Sequence, residues 1–364
     1  MTAAEQEPSG GGMIDWDLAV RIGARLAPPE PDVPADAVAE TVAALRADAE
    51  RSTGLVQEFT GLAARPHSAP VLVVDRARWI EANAQSFAML MDPFVEKLVT
   101  KRESNVLTQA LGPVRGVGTA IGSRVTGTEV GLLLGFLSGK VLGQFDPFAP
   151  ADVAPDGRLL LVAPNIWKIG DDIGARPRDF RLWVCLHEET HRVQFTTVPW
   201  LRDHLRDQVS ALAGTVDPGS VLEDGLSRVA TAVRNGGRGS LIDIIGTPEQ
   251  KEIVDRVTGM MSLLEGHADV VMDGVGPKVI PTVKRIRAAF NDRRVGLGFV
   301  DRQLRRLLGL EAKMAQYRDG AAFVRSVVDR VGMDDFNAIW TSPQTLPSKA
   351  EITEPDAWVA RVLG

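Results

Sequence analysis

The chain has 364 residues, a net charge of −6, 45% apolar side chains and 24% charged ones. That is enough to bury a sizeable core in one large domain or two, and the acidic balance argues against general nucleic-acid binding. The single cysteine, Cys185, rules out an intramolecular disulfide; residues 1–12 have no apolar signal-peptide core, so a cytoplasmic protein is expected.

In chain order, residues 1–12 read as a disordered tail, and residues 14–26 and 35–61 as helices separated by a proline-rich linker at 27–34. A short β-like run at 71–74 precedes a helical pattern over 76–100, which Pro93 should kink or divide. A glycine-rich stretch follows, with Gly127, Gly131, Gly135, Gly139 and Gly143 at every fourth position. On a helix these form one smooth groove for close approach of a neighbouring element. A membrane-spanning reading fails because the uncharged run between Glu129 and Lys140 is only ten residues. A phosphate loop fails because Val141, not serine or threonine, follows Lys140. Residues 158–163 are the clearest strand, ended by Pro164; it is expected to lie beside the functional helix and border a cleft in which an extended peptide pairs.

That functional helix carries His187-Glu188-Glu189-Thr190-His191, an H-E-x-x-H motif. Histidines four apart share a helix face and can hold one metal ion, while the glutamate after the first reaches a water and takes its proton. Asp179 is read as the N-cap, and Pro199 stops the helix near Thr197 or Val198. Cys185 is read as a small core residue. A catalytic zinc needs a third protein ligand. The metzincin extension is absent, because Gln194 and Thr197 stand where its glycine and histidine belong.

A second helix supplies the candidate. Thr247 caps it, Pro248 occupies its first position, Gln250 closes a capping box and Gly274 offers a stop. Inside lie Glu265 and Asp269, two acids four apart on one face. Glu265 is read as the third ligand, with Asp269 accepting the second ring N–H of a ligand histidine. Asp269 itself is the alternative ligand, whereas His267, roughly 200° around from Glu265, does not easily share its target. H-E-x-x-H followed by E-x-x-x-D is a thermolysin-like, gluzincin arrangement. Glu265 stands 74 positions after His191, and the intervening 200–246 is expected to form helices near the cleft. Eleven Lys and Arg over 278–318 read as a solvated or partner-facing surface.

These motifs, together with Gly143-Gln144-Phe145-Asp146-Pro147, residues 160–165, Gln194-Phe195, residues 264–269, residues 313–317 and Trp340-Thr341-Ser342-Pro343, resemble the zincin-like metallopeptidase type 2 family over residues 13–364. Its members are described as hydrolases, some being associated with biosynthesis of a deazaflavin coenzyme. The resemblance implies a mostly α fold with a small β-sheet (α+β, zincin-like) and a Zn2+ site at His187, His191 and Glu265. The division expected is an N-terminal helical region at 13–150, a catalytic region at 151–340 and a C-terminal extension at 341–364, or one compact domain from residue 13. The expected function is hydrolysis of a peptide or amide substrate with Glu188 as general base, with no nucleic-acid or membrane partner. Tyr317 and His267 are candidates to stabilise the oxyanion. The alternative is a catalytically silent scaffold that binds metal or a partner protein.

Overall fold

The computed structural model describes residues 14–63, 69–103, 114–215, 247–295 and 310–364. The fold is mostly helical with one small sheet, as the sequence indicates. Helices α1 (Trp16–Leu26) and α2 (Ala35–Thr60) precede strand β1 (Val71–Val74), then come α3 (Arg76–Glu103) and α4 (Val114–Ser138). Strands β2 (Gly143–Asp146) and β3 (Arg158–Val162) lead into α5 (Ala163–Asp172), α6 (Pro177–Thr197) and α7 (Leu201–Gly214). Next are α8 (Pro248–Val279), α9 (Val283–Val295), α10 (Leu310–Phe336), α11 (Lys349–Thr353) and α12 (Pro355–Val362). Pro93 does not divide α3. The expected helical insertion is represented by α7; residues 216–246 lie outside the described residues.

Two units emerge from the contacts: residues up to Pro29 with Arg76–Lys140, and Glu30–Asp75 with Val141–Gly364. The sequence division at 150 kept α2 and β1 with the N-terminal helices. In the structure α2 packs on α6 and β1 pairs with β3, which groups both with the second unit.

In the first unit α1 lies along α4, and the glycine stripe explains how. A β-carbon at Gly127, Gly131 or Gly135 would stand 2.5 Å from the carbonyl oxygen of Asp15, 2.7 Å from that of Ala19 and 2.9 Å from that of Gly23. Gly139 meets Pro28 in the same way, at 2.6 Å. The expected groove therefore holds for four of the five glycines. Gly143 does not belong to it, because the helix has ended and the residue opens β2. Among the described residues no helix is long and apolar enough to cross a membrane.

The second unit is built around the sheet and α6. The strand order is β1-β3-β2, with β3 parallel to β1 and antiparallel to β2. All five residues of β3 are buried: the apolar run 159–162 because the strand is flanked on both sides, and Arg158 through an ion pair. Arg158 and Asp146 face each other in the register and form a buried ion pair at 2.9 Å, pinning β2 onto β3. With a neighbour on each edge, β3 has no backbone groups left for a peptide. Strand β3 does lie against α6, as expected, but the edge strand beside that helix is β2, so only the peptide-pairing part of the expectation is corrected. Stacking of Phe145 on Phe195, with centroids 5.5 Å apart, fixes β2 against α6.

Helix α6 starts at Pro177 with Arg176 as its cap, so Asp179 is not the N-cap. It lies in the first turn, buried, where its carboxylate faces the positive helix end and accepts a 2.5 Å hydrogen bond from the Thr282 hydroxyl. The other end falls as expected, at Thr197 with Val198 as the cap. Helix α8 begins with the expected capping box of Thr247 and Gln250 but runs through Gly274 to Val279. Gly274 is a close-approach residue, not a stop: a β-carbon there would lie 2.1 Å from the Phe59 ring of α2.

Helices α8 and α10 touch backbone to backbone next to Glu265. A β-carbon on Gly266 would stand 2.2 Å from Gly320, and one on Gly320 would stand 1.9 Å from the Ser262 carbonyl. Gly320→Ala is therefore expected to cost about 1–3 kcal/mol or more, because the clash is with backbone that cannot rotate away. Chemical denaturation of the variant checks this, and an unchanged midpoint would show that the helices separate freely. The expected C-terminal extension is part of the core, since Trp358 is fully buried and its Nε1 donates to the Thr345 carbonyl at 2.8 Å.

Candidate metal centre

Apolar residues bury most of α6 against α2, the sheet and α8, leaving one stripe facing α8 across a narrow gap. On that stripe the His187 and His191 Nε2 atoms lie 3.3 Å apart. Glu265, on the facing side of α8, places Oε2 at 3.5 Å from the first and 3.7 Å from the second. Among the described residues this is the one group of three metal-ligating side chains whose donor atoms converge. A tetrahedral ion with bonds of about 2.0–2.2 Å holds its ligand atoms about 3.3–3.5 Å apart, so the cluster fits zinc with a contraction of tenths of an ångström. Two imidazoles and one carboxylate also make a suitable donor set, with a single negative charge facing a dication.

The electrostatics of the metal-free site point the same way. Burial opposes a charge on His187, yet the hydrogen bond to Glu265 and the charges of Glu188, Glu265 and Asp269 push its pKa up to about 9. Burial would raise Glu265, but the hydrogen bonds and charges of the two histidines outweigh it and hold the carboxyl well below the usual range. The pocket attracts positive charge, and a proton takes that place when no metal does.

Glu188 is 7% exposed, and burial raises its carboxyl above the ordinary value against the pull of both histidines. Its neighbour on β2 is Gly143, where a β-carbon would lie 2.5 Å from Glu188 Cγ and 2.8 Å from Cδ. The glycine opening β2 thus leaves room for the carboxylate. Glu189 points away from the metal cluster. Fully buried, it pairs with Arg192 at 2.5–3.0 Å, and Arg192 reaches Thr53 of α2 at 3.1 Å. The pair ties α6 to α2.

The remaining expected site residues are placed as follows. Asp269 makes no described hydrogen bond to either histidine; the Arg287 guanidinium of α9 faces its carboxylate at 3.4 Å and also donates to its carbonyl at 3.1 Å. Arg287, whose closer ion pair is with Asp273 at 2.8 Å, stands beside the acid that the sequence assigned to a ligand ring, and Asp269 acts on His187 through charge. Asp269→Asn is expected to weaken zinc binding by less than about tenfold, since a partly exposed charge acting through space is worth little. A larger loss in a chelator competition would restore a direct bond. His267 does not face the cleft. It is fully buried, stacked on Phe336 and edge-on to Trp340, and burial lowers its pKa to about 3. A neutral ring so enclosed does not reach an oxyanion. Tyr317 belongs to α10, but its side chain lies outside the described residues.

Sequence reasoning missed two residues, Gly143 and Gln194. Glycine inside a strand marks close approach, which was the available signal for the first. For the second it was the i,i+3 spacing from His191. Gln194 Oε1 stands 3.0 Å from His191 Nδ1, and Gln194 Nε2 lies 3.1 Å from the Leu264 carbonyl and 2.9 Å from His267 Nδ1.

A buried helix bearing the two histidines and the glutamate, an edge strand beside it and a carboxylate brought in by a second helix together define a zincin-like protein. The chain belongs to the zincin-like metallopeptidase family, whose profile matches residues 14–359. It is similar to a solved structure described as "a putative hydrolase with a novel fold from Chloroflexus aurantiacus", at 29% identity and a TM-score of 0.67 over 96% of this chain and 98% of that one. No curated protein matches the sequence.

Proposed function

We propose that the chain is a zinc-dependent hydrolase of peptide or amide bonds, gluzincin-like in its ligand set, with His187, His191 and Glu265 holding the metal. The observation that carries this reading is the convergence of three donor atoms from two helices beside a buried, proton-hungry carboxylate. Zinc bound there would supply Lewis-acid polarisation of a water and of the scissile carbonyl. Glu188 does the proton work: its carboxylate oxygen takes the proton of the attacking water and delivers it to the leaving nitrogen. Burial favours this role, because a carboxylate that prefers to be protonated is a stronger base. The half-buried start of β2, Gly143 and Gln144, borders Glu188 and is where an extended substrate would align. Tyr317 stays the candidate for a second oxyanion donor, tested by Tyr317→Phe as a fall in kcat at unchanged zinc content.

One observation favours a second reading, a metal-binding scaffold without turnover: Glu188 is only 7% exposed, with Gly143 lying against its carboxylate. The deciding experiment measures zinc content and cleavage of a peptide library by the purified chain. Turnover that Glu188→Gln removes supports the hydrolase, and stoichiometric zinc without turnover supports the scaffold.

A further inference from the structure

Among the described residues, Gln194 is the side chain that hydrogen-bonds both a ligand histidine of α6 and the backbone of α8 next to the third ligand. Its amide has two ends, and the surroundings determine which way they point. The Leu264 carbonyl, one residue before Glu265, can only accept a hydrogen bond, so the Gln194 atom 3.1 Å from it must be the NH2 nitrogen. The amide oxygen then faces His191 Nδ1 at 3.0 Å and can only accept there. It follows that His191 carries its proton on Nδ1 and turns the lone pair of Nε2 toward His187 and Glu265. The second N–H of the amide points at His267 Nδ1, 2.9 Å away. That nitrogen must therefore accept, which places the His267 proton on Nε2. The His267 Nε2–H is then buried with no described partner, a cost that the orientation of the amide imposes on this ring.

We propose that Gln194 is a positioning residue that holds His191 in the Nδ1–H form required of an Nε2 metal ligand, with the Leu264 carbonyl and His267 fixing the orientation of its amide. The relay couples the two ligand helices: the carbonyl beside Glu265 on α8 dictates which nitrogen of His191 on α6 is free to bind. A ligand histidine whose second nitrogen is tied down in this way binds metal about 10–100-fold more tightly than one left free. The proposal deepens the zinc-site reading, but its first measurement needs no metal.

Histidine-selective 15N labelling of the metal-free chain at alkaline pH reports the tautomer of each ring. In the wild type, His191 is expected as the Nδ1–H form and His267 as the Nε2–H form. Gln194→Leu, which keeps the bulk and removes the acceptor, should lose the His191 preference and bind Zn2+ about 10–100-fold more weakly in a chelator competition. Gln194→Glu keeps an acceptor opposite Nδ1 and should retain the tautomer, at a cost in stability from turning a carboxylate oxygen toward the Leu264 carbonyl. An Nε2–H form of His191 in the wild type would overturn the proposal. So would wild-type zinc affinity in Gln194→Leu, or equal zinc losses in both variants with the tautomer unmoved, which would mark Gln194 as structural only. Failure of the wild type to bind zinc would sink the metal-centre reading while the tautomer result still stood.

Discussion

His187→Ala or His191→Ala is expected to abolish stoichiometric zinc binding, and Glu265→Ala to weaken it at least about a hundredfold, because a three-ligand site that loses one ligand no longer closes around the ion. Zinc uptake should also depend on pH in a specific way. With the His187 pKa raised to about 9, the metal-free site holds a proton at neutral pH that zinc must displace. Apparent affinity should therefore fall about tenfold per unit as pH drops below about 9, with about one proton released per zinc at pH 7. Calorimetry in two buffers of different ionisation enthalpy measures that proton. The same raised value gives a sign for stability without metal. Relative to the ordinary 6.5, the protonated ring stabilises the fold fully below that pH, and the contribution is lost as pH rises through about 9. Zinc retained at full content in Glu265→Ala would show that the third ligand lies elsewhere, with Asp269 the next candidate once freed from Arg287.

The parts of the fold and site legible in the sequence are those encoded over one or two helical turns. The H-E-x-x-H spacing, the Thr247–Gln250 capping box and the glycine-every-fourth stripe each specify a local geometry, and the structure contains all three. What was misread depends on a distant neighbour. Gly274 resembles a helix stop until the Phe59 ring of α2 is placed over it, and Asp179 resembles a cap until Thr282 accounts for its carboxylate. Asp269 pairs with an arginine on another helix, and nothing in the local spacing announces Arg287. The four residues of β2 are too few to show an alternating pattern, so the strand beside the site was not recognised and its role went to β3. Gln194 enters the sequence reading as the residue that excludes a metzincin and as part of the family resemblance, without a contact of its own, yet it bridges the two ligand helices.

Replacing Glu188 with glutamine keeps the shape of the side chain and removes its basicity. Zinc content and melting temperature should survive, while hydrolysis falls by at least about a hundredfold, the low end of what a positioned base contributes. The structure adds a second route to the same loss. The Glu188 side chain lies against the bare α-carbon of Gly143, and a methyl group there would sit 2.5 Å from Cγ. Gly143→Ala should push the carboxylate out of place with every ligand intact, and a displacement of about 1 Å is enough to cost about a hundredfold. The two variants also differ in a way that separates base from scaffold. Glu188→Gln changes the charge next to His187, whose raised pKa depends in part on that carboxylate, so zinc should bind with less competition from the proton. Gly143→Ala leaves the charge in the pocket and should leave that competition in place. Peptide cleavage and zinc affinity measured across pH for both variants test this. Equal cleavage by wild type and Glu188→Gln would assign the activity to another site, because the other carboxylate of the H-E-x-x-H stretch, Glu189, is fully buried against Arg192 and does not replace the base.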